Sequence, residues 1–117
     1  MSARRFPTIT VTRLTWPFDE DDLATLRERL WKDVKYGRRL HVLDLEQAGT
    51  PNATIFRALA SAAHIVRAVG GDVRLVSSRR EMRRVLGWTG LARVFAIHST
   101  VKAAIAALRE LPASAAG

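Results

Sequence analysis

The chain has 117 residues, enough for one compact domain with a core and too few for two. It has no cysteine, which excludes a disulfide framework, a thiolate nucleophile and a cysteine-bound metal, and makes the cytoplasm the expected compartment. Nineteen Lys and Arg stand against eleven Asp and Glu, a net charge of +8 that attracts acidic partners and polyanions.

Behind Arg4 and Arg5 there is no long apolar run, so no signal peptide is expected. No stretch reaches the roughly eighteen apolar residues of a membrane span either. From Thr8, Thr10 and Thr12 alternate with Ile9, Val11 and Arg13, the period of a half-buried strand, and Pro17 ends it. The acidic group Asp19 to Asp22 suits a helix start, where unpaired amides favour negative charge. Leu23, Leu26, Leu30 and Val34 follow at helical spacing, with Arg27, Glu28, Lys32 and Asp33 on the outer face. Leu40 to Leu45 then reads as a strand buried on both sides.

A second helix follows the break at Ala48 to Asn52, with Ile55, Leu59, Ala62, Ala63 and Val66 inward. Val73, Leu75 and Val76 form the next strand. Ser78 and Glu81 have capping-box spacing before a helix carrying Met82, Val85 and Leu86. Val94, Phe95 and Ile97 read as a fourth strand, and Ser99 caps a last helix. This alternation predicts an α/β domain with a mainly parallel sheet, its core over about 8–110 and a flexible tail over 111–117.

Catalytic and cofactor signatures are missing. No glycine-rich phosphate loop follows a strand, and no nucleophile elbow surrounds a serine. His41, His64 and His98 are scattered without metal-ligand spacing. Asp44 and Glu46 share one side of a strand, a spacing open to an acid/base pair but better suited to a structural role at the strand end. No enzyme, cofactor or metal is expected.

Two stretches are more specific: Val42 to Leu59, and Gly71 to Ala104 with Leu86-Gly87-Trp88-Thr89-Gly90-Leu91, Val94-Phe95 and Ser99 within it. They resemble the STAS domain, named for sulfate transporters and anti-sigma-factor antagonists. The resemblance implies a mixed, four- to five-stranded sheet backed by roughly four helices. It also implies docking on an anti-sigma factor, often a serine kinase. The family usually opens with a hairpin, whereas one strand is evident here.

In regulated members the turn before the second helix reads like D-S-S-G-L, and its first serine is phosphorylated. This chain has Asn52, Ala53, Thr54, Ile55 and Phe56 at the matching positions. Ala53 has no hydroxyl, so the phosphate that would repel a partner cannot be added there. Thr54 and Thr50 are nearby hydroxyls and candidate substitutes. In the alternative reading Asn52 or Thr50 caps the helix and Thr54 lies in its first turn.

The expected docking surface is Asn52, Ala53, Thr54, Ile55 and Phe56, with Ser77 and Ser78 on the adjacent turn. Phe56 is either an interface anchor or core. The partner is an anti-sigma factor or a related ATPase-fold protein, or another STAS-type protein. A fixed subunit of a transporter ATPase or stress-signalling assembly is the alternative. Arg79, Arg80, Arg83 and Arg84 make a positive helix face, but no groove-reading motif accompanies them and nucleic acid is disfavoured.

Overall fold

The computed structural model describes residues 1–111; residues 112–117, most of the expected tail, lie outside the described residues. Two strands open the chain, β1 (Ser2–Phe6) and β2 (Ile9–Arg13), followed by α1 (Glu20–Lys35), β3 (Leu40–Asp44), α2 (Ala53–Arg67) and β4 (Asp72–Val76). The rest is α3 (Arg80–Trp88), α4 (Leu91–Val94), β5 (Ala96–His98) and α5 (Val101–Arg109). The sheet order is β1-β2-β3-β4-β5, antiparallel between β1 and β2 and parallel from there on. The α/β class and the mainly parallel pairing are what the alternation predicted, and the mixed sheet is what the resemblance implied.

Strand periodicity sorts the side chains onto two faces. Leu43, Val73 and Leu75 meet Leu26, Leu30, Ile55, Leu59, Met82 and Leu86 in the larger core, under α1, α2 and α3. Ile9, Val11, Leu40, Val42 and Val76 meet Ala104, Ile105 and Leu108 of α5 on the other face. β3 is buried along its whole length because helices cover both of its sides. Each fully buried leucine contributes about 1.5–3 kcal/mol through its lost apolar surface.

The opening hairpin is complete, which corrects the single strand read from the sequence. Phe6 pairs with Ile9 across a two-residue turn at Pro7 and Thr8. β1 left no apolar alternation to read, since Ser2, Ala3, Arg4 and Arg5 are all exposed. The fourth parallel strand is shorter and later than expected: Val94 closes α4, and Ala96–His98 forms β5.

Two caps also differ. Arg79, not Ser78, is the N-cap of α3, and no side-chain cap bond forms there. Thr100, not Ser99, caps α5, its hydroxyl accepting from the Ala103 amide at 3.1 Å. Leu111, assigned to the tail, packs against the smaller core.

Asp33 is not on a solvated face. It is buried, with Arg5 of β1 and Arg38 each 3.3 Å from its Oδ1. His41 lies beside this cluster, fully buried, its Nε2 at 2.9 Å from the Arg38 carbonyl. Burial holds its pKa below 6.5, against the opposing pull of the Arg38 carbonyl and Asp33.

Candidate functional site

The loops that leave the parallel strands gather at the carboxyl edge of the sheet, where open α/β sheets place their binding surfaces. β3 gives way to a turn ending at Asn52, in extended conformation at φ −151°. Its side-chain oxygen accepts from the Ile55 amide at 3.0 Å, and its side-chain nitrogen donates to the Thr50 carbonyl at 3.2 Å. Of the two expected caps, Asn52 is the one that forms. The start of α2 is therefore set by a side chain outside the helix.

This geometry sorts the expected docking residues. Ala53 is exposed at the first helical position, and Asn52, Thr54 and Phe56 are half-buried. Phe56 packs against the larger core with part of its ring still outside. Ile55 and Ser77 are fully buried and present no side chain outward, a correction to the surface read from the sequence. Their periodicity explains it: Ile55 begins the inner face of α2, and Ser77 prolongs β4. Ser78 is exposed.

Thr54 Oγ1 lies 3.4 Å from Glu20 Oε1, and Arg57 Nη1 is 2.6 Å from the same oxygen. The first turns of α1 and α2 are thus linked through one carboxylate. Thr50 is exposed on the turn itself.

Glu46 crosses from this turn to the next, accepting the Ser78 hydroxyl at 2.6 Å and the Ser78 amide. Burial pushes the Glu46 pKa up, but the Ser78 hydroxyl and amide, with Arg79, outweigh it and hold the carboxyl below 4.5. Asp44 instead faces Arg13 at 3.6 Å. Those separate partners give both carboxylates structural work.

Arg79 Nη2 donates to the Leu45 carbonyl at 3.1 Å. Arg83 donates to the Ser77 carbonyl at 2.6 Å and to Ser99 Oγ at 3.0 Å, reaching the turn before α5. Two of the four clustered arginines are therefore tied into the edge of the sheet, and Arg80 and Arg84 are left as the exposed pair.

One neighbour escaped the sequence reading. Trp16, in the loop after β2, donates its amide to the Gln47 carbonyl at 2.8 Å and lays its ring over Gly49. A Cβ at Gly49 would stand 2.8 Å from Trp16 Cε3, and the glycine adopts φ +78°. The indole is nevertheless 64% exposed beside the corner. The only sequence signal was a tryptophan placed just beyond a strand end.

The fold is that of known structures. An anti-sigma factor antagonist from Mycobacterium paratuberculosis is similar over 93% of this chain and 92% of its own, at 19% identity and TM-score 0.78. The anti-sigma factor antagonist SpoIIAA in its unphosphorylated form is similar over 94% and 98%, at 16% identity and TM-score 0.76. The Bacillus cell fate determinant SpoIIAA in its phosphorylated form is similar over 92% and 98%, at 18% identity and TM-score 0.74. At such identities the likeness shows the fold.

No match was found among curated protein sequences. The sequence model of the STAS domain matches residues 1–104. The chain belongs to the STAS family. Among the described residues, no helix is long and apolar enough to cross a membrane.

Proposed function

We propose that this chain is a cytoplasmic protein-binding regulatory module, not an enzyme, that docks on an anti-sigma factor of kinase or ATPase fold. Docking uses the corner from Thr50 to Phe56, with Ser78 and Trp16 beside it. The observation that carries this reading is the exposed Ala53 on a helix start already capped by Asn52. A residue so placed is free to meet a partner, because the monomer does not need it.

Support comes from the family and from its solved relatives, which are anti-sigma factor antagonists. SpoIIAA has both an unphosphorylated and a phosphorylated form. In the present chain the matching position carries a methyl group, so this corner stays permanently in the docking state. Thr54 is the nearest substitute acceptor, its hydroxyl 3.4 Å from Glu20 Oε1, which Arg57 also holds.

A second reading, a fixed subunit beside a transporter ATPase or in a stress-signalling assembly, uses the same corner as a permanent contact. The missing hydroxyl favours it equally. Affinity purification of the chain from its source cells, with mass spectrometry of what is retained, separates the two. A kinase-fold anti-sigma factor released by Ala53→Glu supports the first, and a transporter ATPase or large assembly supports the second. Recovery of neither class overturns both.

A further inference from the structure

At the opposite, amino edge of the parallel strands, a cleft of about 850 Å³ opens between the β1–β2 turn, the α1–β3 loop and the end of α5. Small ligands occupy clefts of roughly 300–1,000 Å³. Arg5, Arg38, Arg39 and Arg109 line this one, and among the described residues no carboxylate does. Arg5 and Arg38 are fixed from behind by the buried Asp33. Two guanidinium groups are thus positioned before any ligand arrives, which lowers the ordering cost of binding.

The floor is apolar, with Phe6, Ile9, Leu40 and Leu108. Phe6 and Arg109 also line a second groove of about 420 Å³ between β1 and α5, walled by Val101, Ile105 and Ala106. The two cavities have Phe6 and Arg109 in common, and the second has the more apolar wall. The apolar part exists because α5 has only nine residues and packs on β2 to β5, leaving Phe6 of β1 beside it. Arg4, stacked 5.9 Å from the Phe6 ring centre, and Lys102 add cations at its rim.

We propose that these two neighbouring cavities act as one trough that binds a small amphipathic anion: one phosphate or carboxylate head on an apolar, alkyl-like body. The head meets the guanidinium groups and the body lies along Phe6, Val101 and Ile105. An inorganic anion leaves the apolar half unused, and a nucleotide puts a polar sugar there. The site is separate from the docking corner and does not rest on that reading.

Calorimetric titration of the whole chain with decyl phosphate, below its micelle concentration, is the test, with inorganic phosphate and ATP as comparison ligands. Saturable binding of one decyl phosphate per chain is expected. Arg109→Glu removes a charge-assisted contact and should weaken it about tenfold. Ala106→Glu, in the apolar half, should also weaken it. Both positions are exposed, and unchanged thermal melting of each variant shows that the fold is intact. The proposal is overturned if decyl phosphate does not saturate, if inorganic phosphate or ATP binds as tightly, or if both folded variants bind like the parent. Retained partner docking in Arg109→Glu keeps this result distinct from the fate of the corner.

Discussion

The carboxylate of Glu46 accepts both the amide and the hydroxyl of Ser78, joining the turn after β3 to the turn after β4. Ser78 is thereby spent as a tie between turns, where the sequence had offered it as a helix cap. Removing the tie with Glu46→Ala should lower unfolding stability by about 1 kcal/mol, since a half-exposed carboxylate recovers part of its bonding from water. Urea unfolding at neutral pH checks the figure. The folded carboxyl titrates below 4.5, so its contribution is present above that value and disappears as pH falls through the folded pKa. In acid the variant and parent should converge.

Ala53→Glu separates folding from docking. The first turn of α2 has no acidic residue, and a negative charge at a helix start contributes about 0.3–1 kcal/mol. Melting temperature should hold or rise slightly while affinity for the docking partner drops by at least about tenfold, the effect of one unfavourable charge at an interface. A variant that melts early, or one that still docks at full strength, contradicts the assignment of this corner.

Gly49 and Gly37 offer an internal comparison, with φ near +80° at both. An added Cβ at Gly37 meets nothing within 4 Å, so Gly37→Ala bears only the left-handed backbone cost of about 1–2 kcal/mol. At Gly49 the new methyl also collides with the Trp16 ring. Gly49→Ala should be the more destabilising of the two and should alone perturb the environment of Trp16. Chemical denaturation ranks them, and fluorescence of the double Trp31→Phe, Trp88→Phe background isolates the indole.

His41 predicts a slope with pH. Its folded pKa lies below 6.5, so below that value the unfolded chain takes up a proton that the folded chain resists. Stability is then complete above about pH 6.5 and declines as pH falls toward the folded pKa. His98, also depressed by burial and by Arg74 and Arg83, adds in the same direction. His41→Gln should flatten the decline between pH 7.5 and 5.5 in paired urea titrations; an unchanged slope would assign it elsewhere.

Periodicity carried α1, α2, α3, α5 and the first three parallel strands because each repeats apolar residues along a buried face, whereas α4 was not read and β5 was read too early. It failed where the deciding partner is distant in sequence. β1 shows exposed arginines, and its place is fixed by the ladder to β2. Asp33 reads as a solvated charge on α1 until Arg5, twenty-eight residues away, folds over it. At the last helix Ser99 was read as the cap, and the neighbouring hydroxyl of Thr100 takes that place. The corner itself was legible through Asn52 and Ala53, while the inward turn of Ile55 and Ser77 required the sheet to be built. Trp16 joined the site only when its loop was laid against Gly49.

The capping of α2 by Asn52 frees the residue that follows it. Because the helix is started from outside, the next residue can exchange between a hydroxyl and a methyl with little strain on the core. One exchange at that position therefore changes the chemistry offered to solvent, with no compensating repair elsewhere in the chain.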